Sequence, residues 1–177
     1  IGYLVMRWNY AEHFARQILR QYLSGTSLGD PDHLRLSGRP AAWIENQLQS
    51  EVLPSWKDPG RPYLERLVLA YSRAREHRNH LVHGIYMTAD AGGPYPAVAV
   101  LIPTRPKNGK VEIPSNATLG EIRPLADYFH DLAMFARDVA VGFAKDGVLA
   151  TNPDGTPVLP ELGRLIQPLE PRMYEVI

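Results

Sequence analysis

The residues best suited to chemistry lie in one stretch, Arg78-Asn79-His80-Leu81-Val82-His83-Gly84. Arginine offers phosphate a planar fork of donors. Histidine moves protons near neutral pH. An asparagine beside the arginine adds a neutral donor and acceptor. Together these groups can bind a phosphodiester and shift protons on it without a metal, which is the chemistry of RNA cleavage.

These residues must be positioned by a helix. The apolar residues Leu64, Leu67, Val68, Tyr71, Leu81 and Val82 recur at helical spacing and predict a helix from about Pro62 to Val82. Gly84 is a suitable left-handed stop beyond it. Each helical residue turns about 100°. With Leu64 as origin, Val68, Tyr71, Val82, Arg75 and Arg78 fall in one sector roughly 40° to either side by that rotation. Asn79 lies near the sector's edge and His83 at the rim of the stripe, and the two are four residues apart on one face. Two arginines on a core-facing stripe demand a carboxylate, or a stripe that opens into a cleft or subunit interface. Glu12 sits inward on the first helix, about 40° from Trp8 by the same rotation. An ion pair from Glu12 to Arg75 or Arg78 is therefore expected, and it can be architectural as readily as functional. His77 and His80 fall on the opposite, solvent side. A metal site built from His77, His80 and His83 is a weaker rival, because His77 and His83 diverge by about 120° and Glu76 is the only close carboxylate; neither metal nor cofactor is expected.

Three further helices complete a bundle. The first runs from about Gly2 to Leu23 on Leu4, Val5, Trp8, Ala11, Ala15, Ile18, Leu19 and Tyr22, with Ser24-Gly25 ending it. A second, shorter one runs from about Pro40 to Leu53, with Pro40 suited to its first turn. The last runs from about Leu119 to Ala144, and Thr118 with Glu121 matches a capping box. Between the last two long helices the period changes to that of strands, at Ile85 to Thr88 and Ala97 to Pro103, with a third short strand at Val111 to Ile113 beyond the Lys107-Asn108-Gly109-Lys110 turn. Beyond Gly147, Pro153, Pro157, Pro160, Pro168 and Pro171 forbid a long helix and predict an extended arm. The expected fold is mainly all-α: an up-and-down bundle of four main helices over 1–146, a small β-hairpin inserted at about 85–114, and a Pro-rich C-terminal arm over 147–177. Trp8, Trp43 and Trp56 are expected to fill core or interface.

Composition limits the setting. The 177 residues fit one domain with a real core, and 45% hydrophobic content fits a globular one. Formal net charge is +0, so any nucleic-acid attraction must be local. Arg61, Arg66, Arg73, Arg75, Arg78 and three histidines supply such a patch against only Glu65 and Glu76. With no cysteine, disulfides and thiolate chemistry are excluded, which suits a cytoplasmic protein. The longest apolar run, Ala97 to Ile102, is too short for a bilayer, so no membrane partner is expected. The chain opens at Ile1 inside an amphipathic pattern, which predicts further residues before it.

The Arg78-Asn79-x-x-x-His83 pattern resembles the signature of the HEPN superfamily, the "higher eukaryotes and prokaryotes nucleotide-binding" domains. In that family an arginine, often followed directly by asparagine, precedes a histidine by four to six residues at a helix end. The polar Glu12 on an early helix, after Trp8-Asn9, is also similar to the family. The resemblance covers about Gly2 to Ala144. It implies metal-independent endoribonuclease activity, in which the RNA 2′-hydroxyl attacks the adjacent phosphorus to give a 2′,3′-cyclic phosphate. It implies His83 as general acid/base, Arg78 as the neutraliser of phosphoryl charge, Asn79 as an orienting group, and Glu12 and Arg75 in support. Further implications are a homodimer with two motifs facing one cleft, RNA as substrate or ligand, and a toxin–antitoxin or defence setting with an antitoxin protein as partner. A non-catalytic domain that binds RNA, nucleotide or a protein partner is the alternative.

Overall fold

The structure is a computed structural model. It describes residues 2–24, 36, 38–83, 85–89, 97–101, 112–114, 119–156, 166–170 and 174–176. At Ser24, His80, His83, 85–89, 97–101, 112–114, 119–121 and 174–176 the description covers backbone only. The Thr118/Glu121 capping box, the Gly25 and Gly84 stops and the Lys107–Lys110 turn lie outside the described residues.

The chain is mainly helical. Four helices are described: α1, Gly2–Ser24; α2, Ala41–Gln47; α3, Arg61–His83; and α4, Leu119–Gly142. Helix α2 continues through a π-helical stretch, Leu48–Val52, into a last turn at Leu53–Ser55. The π turn has a visible purpose. Ile44, Leu48, Val52 and Trp56 are all buried at a constant spacing of four. In a regular α-helix a step of four overshoots a full turn by about 40°. The wider i→i+5 turn takes up that drift and keeps all four on the core face.

The core forms where the amphipathic stripes of α1, α3 and α4 meet. Leu4, Trp8, Ala11, Ala15, Ile18 and Leu19 of α1 are buried, as are Leu64, Leu67, Val68, Tyr71, Ala74 and Leu81 of α3. Helix α4 adds Leu125, Phe129, Leu132, Ala133, Ala136, Val139 and Ala140. Trp8 is the pivot, with its ring 4.8 Å from Tyr71 and 5.6 Å from Phe129. Such aromatic contacts add about 0.5–1.5 kcal/mol each beyond the area they bury. Small residues let α1 and α4 approach most closely, through Ala11 and Ala15 on one side and Ala133, Ala136 and Ala140 on the other.

Cross-contacts fix the helix directions. Arg7 meets His130 at 2.9 Å and Gln21 donates to the Ala140 carbonyl at 3.0 Å, so α1 and α4 run parallel. Tyr63, near the start of α3, stacks 5.4 Å from Phe143, while Tyr71 shares Trp8 with Phe129. Helix α3 is therefore antiparallel to both. At 1.5 Å per residue, Arg78 lies about 10 Å beyond Tyr71, level with the first turn of α1.

The entry to α3 is locked by two glycines. Gly60 donates to the Gly147 carbonyl at 3.0 Å, and Lys57 donates to the Asp146 carbonyl at 2.9 Å. A Cβ on Gly60 would run into that Gly147 carbonyl and come within 2.9 Å of Phe143 Cδ1. Gly147 itself has φ +84°, where L side chains are strained.

After α3, the backbone of β1, Ile85–Ala89, pairs antiparallel with β2, Ala97–Leu101, placing Ile85 opposite Leu101 and Ala89 opposite Ala97. The third short strand expected at Val111 to Ile113 falls one residue later. β3, Glu112–Pro114, pairs with β4, Tyr174–Val176, near the end of the chain. Sequence patterning carries no sign of β4, because three residues show no period.

Candidate functional site at the end of α3

Arg78 and Asn79 stand side by side in the last third of α3. Arg78 Nη1 donates to Asn79 Oδ1 at 3.0 Å. Both side chains are half-buried, and the Arg78 Nε is sealed from solvent. His83 is the final residue of α3, one turn beyond Asn79. Residues four apart on a helix carry their Cβ atoms about 5–6 Å apart on one face. The backbone thus brings Asn79 and His83 to the same face, while the His83 side chain lies outside the described residues.

Arg75, one turn earlier, has a different environment. Its Nε donates to Glu45 Oε2 at 2.6 Å. Glu45 comes from α2 and is 8% exposed, the only charged residue buried among those described. Buried carboxylates survive only when paired, and Arg75 is that pairing. This corrects the expected Glu12–Arg75 contact. Glu12 accepts instead from Trp8 Nε1 at 3.0 Å and from Arg16 Nε at 3.1 Å, with Arg16 Nη2 on the same oxygen. The physical reason is reach. Arg16 is four residues from Glu12 on the same helix, so the two side chains share a face and meet without a tertiary partner. Arg16 also donates to the Leu36 and Arg39 carbonyls and ties the chain ahead of α2 to α1.

Between these two ion pairs sits the Tyr71 hydroxyl. It is buried and has no hydrogen-bond partner among the described residues. Burial pushes its pKa well above the usual value. The Glu12 and Glu45 carboxylates push the same way, and Arg16 and Arg75 oppose them. Tyr71 thus stays protonated and neutral in a ring of four charges.

His77 lies on the solvent side of α3, as expected, and has a partner there. Its Nε2 donates to the Glu170 carbonyl at 2.9 Å, which fixes a proton on that nitrogen. Tyr128 on α4 donates to the Gln167 carbonyl at 2.9 Å, and Ile166 and Leu169 pack against the core. The segment 166–170 is thereby strapped across α3 and α4 beside the Arg78 turn. His80 lies outside the side chains described. Among the described residues no three His, Asp or Glu side chains converge to hold a metal. No described helix is long and apolar enough to cross a membrane.

Glu45 and Tyr71 were the residues missed from sequence. Glu45 carried a usable signal: it lies three residues before Leu48 and next to Ile44, at the edge of α2's apolar face. The same reasoning that marked Glu12 as inward-facing applies to it. The Tyr71 hydroxyl gave none, since a tyrosine on an apolar stripe normally finds an acceptor. Compared with known proteins, the chain matches no family model, no curated protein and no solved structure.

Proposed function

We propose that this chain is a metal-independent endoribonuclease-like domain of the HEPN type, with its active centre at Arg78, Asn79 and His83. One observation carries the reading: the Arg78 guanidinium is oriented by Asn79 on the turn that precedes His83, where α3 ends. In this reaction His83 takes the proton from the RNA 2′-hydroxyl as its oxygen bonds to phosphorus. The bond from phosphorus to the 5′-oxygen breaks, and that oxygen takes the proton from the protonated His83, giving a 2′,3′-cyclic phosphate and a 5′-hydroxyl. Arg78 stabilises the charge that builds on the phosphoryl oxygens. Asn79 holds the guanidinium fork in place; Arg75 supports it by pairing with Glu45 of α2, and Glu12 by holding Trp8, whose ring packs on Tyr71 of α3. We further read β1 and β2 as an inserted hairpin, the chain from 147 as an arm, and the active unit as a cytoplasmic homodimer with two motifs on one cleft. An antitoxin protein as partner and a role in defence belong to the same reading.

The test is cleavage of a labelled single-stranded RNA in EDTA by the wild-type protein, His83→Ala and Arg78→Ala. Loss of an essential acid/base costs about 10²–10⁴-fold. Removing a charge-stabilising donor costs about 10²–10³-fold. Equal cleavage by His83→Ala and wild type would refute the catalytic role. RNA binding without cleavage by any of the three would assign the same residues to a non-catalytic binding site.

A further inference from the structure

The outward face of α1 has an unusual make-up. Tyr3, Met6 and Tyr10 are 51%, 46% and 51% exposed. By helical rotation they form one stripe with Asn9 and His13, opposite the buried Leu4–Ala11–Ala15 face. Met6, Asn9, Tyr10 and His13 line a groove of about 360 Å³, within the range of small-molecule sites. Charge on this helix is one-sided. Its single carboxylate, Glu12, is held by Trp8 and Arg16 and is turned away from the groove. Arg7 and His13 border the stripe, while Arg16 is engaged by Glu12 and by the Leu36 and Arg39 carbonyls. The Arg7 guanidinium lies 4.8 Å over the Tyr3 ring and donates to the Tyr3 hydroxyl at 2.6 Å.

We infer that this face of α1 is a docking surface for single-stranded RNA, with Tyr3 and Tyr10 stacking bases and Asn9 and His13 meeting their polar edges. Four features favour it. Flat aromatic rings at a surface stack any base, whatever its identity. A stripe that is bordered by Arg7 and His13 and holds no carboxylate of its own complements a polyanion. Arg7 over Tyr3 pre-assembles a stacked cation–aromatic platform. Lastly, Tyr3 and Tyr10 are seven residues apart, about 10 Å along the helix, or roughly three stacked nucleotide steps of about 3.4 Å. The stripe begins level with Arg78, so a strand held on α1 runs toward the end of the bundle where α3 stops. The inference rests on the RNA reading above but makes its own claim, since it concerns binding and not cleavage.

The experiment is fluorescence anisotropy with a labelled, fully 2′-O-methylated single-stranded oligoribonucleotide, which binds but cannot supply the attacking hydroxyl. The Tyr3→Ala/Tyr10→Ala variant is expected to raise Kd at least tenfold, and Tyr3→Phe/Tyr10→Phe to stay within about threefold of wild type. Both pairs are exposed, so thermal melting should match wild type. An unchanged Kd in the alanine variant overturns the docking face, as does a wild-type protein that binds no oligonucleotide. If sedimentation shows the alanine variant losing a dimer at unchanged RNA affinity, the face is a contact between copies and the inference is wrong. Cleavage in EDTA with no dependence on Tyr3 or Tyr10 would leave the nuclease reading standing alone. Binding through these tyrosines without cleavage would leave the docking face standing alone.

Discussion

Arg75 and Arg78 lie three residues apart on the same side of α3, yet their surroundings differ in kind. Arg75 meets a buried carboxylate, Glu45, at 2.6 Å, in a layer that also holds Tyr71 and Trp8. Arg78 donates to the neutral oxygen of Asn79 at 3.0 Å, near the end of the helix. The first contact cancels charge and joins two helices. The second aims a guanidinium without cancelling its charge through that contact. An arginine on an apolar stripe is thus an ambiguous sign: one such residue here meets a buried carboxylate from another helix, and the other meets a neutral amide on its own.

The largest expected effect separates the two. Arg78→Ala should lower RNA cleavage about 10²–10³-fold with the melting temperature little changed. Arg75→Ala should do the reverse, leaving cleavage per folded molecule within severalfold of wild type. Rates measured beside calorimetric melting on the same preparations decide this. If both substitutions hit the same quantity, the division between the arginines collapses.

Next in size is the stability carried by the Arg75–Glu45 pair. Removing one partner of a fully buried pair costs about 3–5 kcal/mol. The Arg75 side chain keeps 24% exposure, so about 2–3 kcal/mol is the better expectation for Arg75→Ala. Glu45→Ala should cost a similar amount. The double variant should cost less than the sum, with a coupling of about 1–2 kcal/mol by urea denaturation. Strict additivity would mean that the pair is incidental and that packing alone holds α2 to α3.

The sequence made the helices legible because α1, α3 and α4 each keep a clean period over more than five turns. It also marked Arg75, Arg78 and Glu12 as residues that break the apolar pattern. What it could not supply was pairing. Glu12 finds Arg16 because four residues along one helix put the two side chains on one face, and Arg75 finds a carboxylate on a short helix whose π turn alters its phase. The strap at 166–170 was hidden for another reason. It is held by backbone carbonyls at Gln167 and Glu170, and every residue has one. β4 is too short to show a period.

A smaller effect tests that strap. Burial pushes the Tyr128 hydroxyl up to about 12. A raised folded-state pKa favours the protonated form. Its contribution is therefore complete below the unfolded value near 10 and is lost as pH climbs through about 12. Stability should fall across that window. Tyr128→Phe should flatten the fall, and it should speed amide exchange in 166–170 at neutral pH by releasing the Gln167 carbonyl. An unchanged exchange rate would show that Ile166 and Leu169 hold the strap without the hydroxyl.

The smallest effect, and the one with an unusual sign, concerns Tyr71. Most buried tyrosine hydroxyls make a hydrogen bond, and deleting one normally costs about 1 kcal/mol. Here the hydroxyl has no partner among the described residues, although two carboxylates and two guanidiniums surround it. Tyr71→Phe keeps the ring stacked on Trp8 and removes only a desolvated polar group. The expected result is unchanged stability or a gain of up to about 1 kcal/mol. A loss of that size would mean that the hydroxyl is satisfied in solution by a water or by a shifted Glu12 or Glu45. The layer around Arg75 would then be a hydrated polar network, and its difference from the Arg78 end would be one of degree.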